Sequence, residues 1–234
     1  MASHPASQRT PLTTERVVTA ALEIIDAEGA DALSMRKLAQ SLDREVMALY
    51  RHAKNKAALL DGVIELVLGE FTIDPNADDW ANELRALSRN FRRLALAHPH
   101  VVPLMVTRPL VIPLGLRPAG TLRPLEDFLQ LLVNVGFTPS DALHAYRLFF
   151  AFLHGHVLDE LQQVVVDPAE HEAMLRLGLH NLPLSEFAQL RTLGPELDRY
   201  DGAIQLEQGV DMMITGLQTN FRPDPARTGP TKAA

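Results

Sequence analysis

Between Thr14 and Leu68 the sequence runs as a series of short amphipathic helices, none long enough to hold itself together. Val17, Ala21, Ile24 and Ala27, flanked by Val18, Leu22 and Ile25, recur at the spacing of one buried helical face, and Gly29 supplies a stop. Ser34 is placed to cap a second helix with Met35, Leu38, Ala39 and Leu42 on one side; after a break at Asp43-Arg44 a third carries Val46 and Leu49 inward. Asn55 caps a fourth, whose apolar residues are Leu59, Leu60, Val63, Ile64, Val67 and Leu68. Isolated helices shorter than about 12–15 residues are marginal in water, so pieces this short must share one small core.

The remainder continues in helical periodicity, and no stretch sustains the alternation of a strand. The fold class expected is therefore all-α. Asp74-Pro75-Asn76 reads as a joint, followed by a long helix from about Asp79 to His98, where His98-Pro99 closes it. Prolines 103, 109, 113, 118 and 124 predict an irregular segment with short helical pieces at most. Leu122 to Val135, ending at Gly136, forms the next helix; Thr138-Pro139-Ser140-Asp141 opens another that runs to about Val164. After a weakly patterned stretch over 167–195, a last helix from about Asp198 to Asn220 sets Leu206, Val210, Met213, Ile214 and Leu217 on one stripe. The domains expected are a flexible tail (1–12), a small head with its connecting helix (13–70), a larger helical domain (75–221) and a proline-rich tail (222–234).

Composition narrows the function. An apolar share of 47% and a charged share of 22% are those of an ordinary globular chain, which argues against wholesale disorder. No apolar run approaches the roughly 18 residues of a membrane span, and Met1 to Pro11 lack the apolar stretch of a secretory signal, so a cytoplasmic protein is expected. With no cysteine there is no disulfide, thiolate metal site or cysteine nucleophile. The net charge of −7 would repel DNA, yet between Arg36 and Lys56 six basic residues face only two acids, Asp43 and Glu45. Positive charge is thus concentrated where the short helices lie. Gly-x-Ser-x-Gly, phosphate-binding glycine loops and His-Glu-x-x-His are absent, and the acids are scattered, so no enzyme and no cofactor are expected.

The stretch from Leu33 to Leu60, with Leu49-Tyr50-Arg51-His52, Lys54-Asn55-Lys56 and Leu59-Leu60-Asp61 in register, resembles the helix-turn-helix signature of the tetracycline-repressor (TetR) family. The resemblance implies a ligand-responsive regulator, most simply a repressor, that binds a palindromic double-stranded DNA operator as a homodimer. It implies that Val46, Met47 and Ala48 face base edges and that Tyr50 bonds a phosphate. It places Arg51 on a guanine edge or the backbone, and Arg36, Arg44, Lys54 and Lys56 around the docking surface, with His52 packing or capping rather than reading DNA. The family usually carries glycine and a small apolar residue in the turn, where this chain has Asp43 and Arg44; aspartate tolerates the left-handed conformation better than most residues, and arginine must lay its stem over the core.

The larger half resembles, more loosely, the branch nearest the tetracycline repressors themselves, through Trp80, Phe91-Arg92-Arg93, Thr107-Arg108-Pro109, Gly136-Phe137 and Gly155-x-Val157-Leu158 followed by an acid. It implies that Leu87, Phe91, Thr107, Arg108, Phe128, Leu143 and Tyr146 line an effector pocket, although Phe91, Phe128 and Leu143 read equally well as core. The two histidines that hold the drug and its magnesium in that branch correspond to Thr72 and Leu104, so a small, mostly apolar effector and no metal are expected. His154 and His156, two apart on a helix, point in different directions, and His98 and His100 at a helix end suit capping. The dimer is expected to form through the helix around Leu143 to Val164 and the last helix, with Gly209 and Gly216 permitting close approach. Rival readings are a small-molecule storage protein with an idle DNA head, and a cofactor-free enzyme in a helical bundle.

Overall fold

The computed structural model describes residues 11–108, 113–117, 119–165, 182–192 and 200–221. Among them are ten α-helices and no strand. The head consists of α1 (Thr14–Glu28), α2 (Met35–Ser41) and α3 (Val46–Leu49), with a 3-10 turn at Ala30–Ala32. Helix α4 (Lys56–Leu68) connects it to the larger bundle of α5 (Trp80–Ala97), α6 (Val102–Thr107), α7 (Ala119–Asn134), α8 (Pro139–Val165), α9 (Leu184–Thr192) and α10 (Gly202–Asn220). No helix among the described residues is long and apolar enough to cross a membrane.

Local chemistry sets the helix ends. The side chains of Thr13, Ser34, Asn55, Asp79 and Asp201 each accept a bond from a first-turn amide, which satisfies donors that the helix itself leaves free. Gly29 and Gly136 follow α1 and α7 with positive φ, 85° and 101°, a region closed to most side chains. Asp43 is the one non-glycine residue described with positive φ, 50°, so aspartate does take the turn position where the family uses glycine. Arg44 behind it is half-buried, its guanidinium donating to the Asp43 carbonyl at 3.0 Å.

The head's core is Val17, Ile25, Leu33, Leu38, Leu49 and Leu59, each no more than 1% exposed, and it runs without a gap into the core of the bundle. Helix α4 lies between the two, packed on α1 on one side and on α6 and α7 on the other. Gly62 allows the first contact: a β-carbon there would stand 3.0 Å from Val18. In the bundle α10 packs on α5 and α8, and α7 on α8.

Several sequence expectations are corrected. The segment expected to be irregular holds a short helical piece, as expected, with Pro103 in the first turn of α6, where its missing N–H costs nothing; α7, however, begins at Ala119 rather than Leu122, which puts Pro124 past its first turn. Helix α10 begins at Gly202, capped by Asp201, four residues after the expected start; Asp198 itself, the segment 167–181, Pro109, Pro118 and most of both tails lie outside the described residues. Gly209 serves packing within the chain, since a β-carbon there would collide with the Phe152 ring of α8. Val210 and Ile214, expected near a dimer surface, are buried in the protomer's own core.

Candidate functional site

Helices α2 and α3 present a basic, mostly exposed surface. Fully buried Leu49 pins α3 to the head, leaving Met47 75% exposed and Tyr50 45% exposed. Arg36, Arg51 and Lys54 are exposed around them. Ala48 is half-buried, and Val46 packs against the core, so of the three residues expected at base edges Met47 projects furthest. Lys56, in the first turn of α4, reaches the Asp31 carbonyl at 3.4 Å, and the His52 ring meets the Thr14 hydroxyl at 3.2 Å, a packing role. A helix this short needs such bracing to enter a major groove as a rigid unit.

A cavity of about 390 Å³ opens in the bundle below α4. It is lined by the α4 stripe Asp61, Ile64 and Leu68, by the α8 stripe Tyr146, Phe150 and His154, and by Phe91 of α5. Met105, Val106 and Arg108 at α6, Arg117, and Thr121, Pro124 and Leu125 of α7 complete it. The aromatic wall is mutually packed: the Tyr146 and Phe150 centroids are 4.6 Å apart, and Phe91 stands 5.5 Å from the His154 ring. Burial pushes the His154 pKa down and the Tyr146 pKa up, so at neutral pH both rings are uncharged and offer hydrogen bonds rather than charge.

Of the seven residues expected in this pocket, Phe91, Arg108 and Tyr146 line it. Leu87 and Phe128 are buried core; Phe128 packs edge-on against Tyr146 at 5.5 Å and supports the wall from behind. Leu143 is half-buried away from the lining, and the Thr107 hydroxyl turns back to the Pro103 carbonyl at 2.7 Å, which satisfies it within its own helix. Asp61 and His154 were missed, yet each sits in a readable pattern: 61, 64 and 68 on α4, and 146, 150 and 154 on α8, each trace one helical stripe.

Comparison with known proteins follows these two halves. The family described as "Bacterial regulatory proteins, tetR family" matches residues 17–63, and "Tetracyclin repressor-like, C-terminal domain" matches residues 73–221. This chain belongs to the tetR family. The class A tetracycline repressor of Escherichia coli transposon 1721 is 32% identical to it over 216 residues, covering 89% of this chain and 91% of the relative. The repressor DrrR1 of Streptomyces coeruleorubidus is 28% identical over 225 residues, covering 87% and 78%. The Streptomyces coelicolor TetR-family protein ActR, solved in complex with actinorhodin, superposes with a TM-score of 0.76 at 31% identity, covering 90% of this chain and 98% of ActR. The protein is thus a transcriptional regulator and not an enzyme.

In this TetR-family chain the cavity is wired to the head. Arg108 at the end of α6 donates to Asp61 Oδ1 of α4 through Nε at 3.0 Å and Nη2 at 2.6 Å, and Nη2 also reaches the Ala57 carbonyl at 3.1 Å. Arg108, expected to line the effector pocket, is therefore also tied to α4. The Gly120 amide of α7 donates to Glu65 of α4 at 3.2 Å. A third tie bypasses α4: His98 meets the Asp26 carboxylate at 2.8 Å, and His100 donates to the Ile25 and Asp26 carbonyls at 3.0 and 3.2 Å, capping the C-terminal end of α1. No group of three His, Cys, Asp or Glu suited to a metal exists among the described residues, and Thr72 and Leu104 lie off the cavity lining.

Proposed function

We propose that this regulator works as a cytoplasmic homodimeric repressor whose two heads (13–70) hold a palindromic operator, and whose larger domains (75–221) each take a small, mostly apolar effector that releases it. The observation that carries this reading is the position of α4. It forms a wall of the cavity, is gripped there through Asp61 and Glu65, and packs on α1 of the head at Gly62. A ligand that alters the grip shifts α4, and with it the separation of the two heads on DNA. Phosphate contacts fall to Tyr50, Arg36, Arg44, Lys54 and Lys56, and base readout to Met47, Arg51 and Ala48 with Val46 behind them.

The cavity chemistry supports an effector bound without magnesium. Its walls are mostly apolar and aromatic, with Asp61, Arg108, Arg117, Thr121, Tyr146 and His154 as the polar groups, a mixture that orients mostly apolar molecules by a few polar contacts. The test is release of the protein from a duplex it has itself selected out of a random pool, titrated with hydrophobic aromatic compounds and with tetracycline, each with magnesium or a chelator. Release by an aromatic compound regardless of chelation is the expected result. A tetracycline response that disappears on chelation contradicts the metal-free reading, and retention of DNA throughout contradicts effector control.

A further inference from the structure

The ion pair at the cavity rim is built differently from the one that holds the bundle. Arg92 of α5 grips both oxygens of buried Glu160 on α8, through Nε at 3.1 and 2.9 Å and Nη2 at 2.5 Å, the two-oxygen fork that gives guanidinium–carboxylate pairs their strength. Arg108 instead places Nε and Nη2 on a single oxygen of Asp61, and Nη2 is shared with the Ala57 carbonyl. Both side chains of this second pair remain about a quarter exposed, and both line the cavity. The same cavity is lined by Phe150, Tyr146 and His154, rings that accept a flat apolar body and that carry no charge to compete for an anion. Such an anion, entering with its flat part against those rings, meets a guanidinium held by only one carboxylate oxygen.

We propose that the effector is an aromatic acid whose carboxylate takes Arg108 from Asp61, so that recognition of the ligand and release of α4 are one exchange of carboxylates. The exchange conserves the ion pair at Arg108 while freeing the α4 side of it, which gives the ligand a different contact in the two states, as any effector must have. It rests on the reading of the cavity as an effector site and adds the ligand's chemical class and the switch it operates.

The experiment compares anthraquinone-2-carboxylate with the neutral anthraquinone-2-carboxamide on the full chain, by calorimetry and by release of the selected duplex. The carboxylate is expected to bind at least about tenfold more tightly, the worth of one charge-assisted contact, and to release DNA where the carboxamide does not. Asp61→Asn, isosteric, is expected to bind the carboxylate more tightly than the parent, because its competitor is gone, and to hold DNA more weakly without any ligand. Arg108→Lys, which keeps the charge and loses the fork, is expected to narrow the difference between the two probes. Equal binding of the two probes, or binding of neither, overturns the assignment of an aromatic acid. If Asp61→Asn still lowers DNA affinity in that case, the coupling of cavity to head survives; if it does not, that reading falls as well.

Discussion

Met47 stands 75% exposed on a helix of four residues, the apolar side chain there that projects furthest toward a partner. A thymine methyl is such a partner, so Met47→Ala is expected to change which duplexes are selected more than how tightly they are held. Tyr50→Ala and Lys56→Ala are expected to weaken binding to all duplexes alike, and Lys56→Ala to lower the salt slope by about one. Binding by fluorescence anisotropy across a salt series separates the two behaviours, and unchanged affinity in both phosphate variants would remove this docking surface. His154 makes a pH prediction. Burial lowers its pKa below the unfolded value of 6.5, so the folded state prefers the neutral ring. The stability this gives is complete above that value and is lost as pH falls from there through the lowered folded one. His154→Phe is expected to flatten the fall in melting temperature between about pH 7 and pH 5. At this scale the sequence revealed identities and missed partners: Arg108 was readable as a cavity residue, but its bond to Asp61, 47 residues away, leaves no local trace.

The helices were legible where a cap and a stripe coincide, as at Asn55 or Asp79, and less so where packing overrides propensity. Pro124 inside α7 is the plainest case: the helix expected from Leu122 holds it in the first turn, where proline costs nothing, whereas α7 starts at Ala119 and carries it at the sixth position. Gly209 and the Val210 and Ile214 stripe show a different limit: periodicity marks a buried face without saying whether the chain itself or a second copy buries it. Here the chain itself does, through α5 and α8, and what α8 and α10 leave uncovered is Leu148, 58% exposed, with Ile204 and Met212. Leu148→Asp combined with Met212→Asp is accordingly expected to give folded monomers with little DNA affinity; dimers by sedimentation would place the interface elsewhere. The knot between α5, α8 and α10 predicts a larger effect. Glu160 is 5% exposed, bonded to Arg92, and packed so closely on Gly202 that a β-carbon there would strike its carboxylate. Arg92→Ala strands that charge and is expected to cost about 3–5 kcal/mol in denaturant unfolding, whereas a loss under 1 kcal/mol would mean that water reaches the site.

Across the whole molecule, two modest structures share one core: a head of short helices and a bundle with a cavity against the connecting helix. Among the polar ties that cross between them are Arg108 to Asp61, Gly120 to Glu65, Asn90 and Arg93 to Glu70, and His98 with His100 to the end of α1. On the proposed mechanism a ligand in the bundle resets the spacing of the heads, and the absence of cysteine makes this directly measurable. A single Glu23→Cys substitution, on the exposed side of α1, puts one spin label on each head of the dimer. Pulsed dipolar spectroscopy is expected to give one narrow label-to-label distance on the selected duplex, and a displaced distribution once an effector that releases the duplex is added. Release of DNA with the distance between heads unchanged would contradict the account.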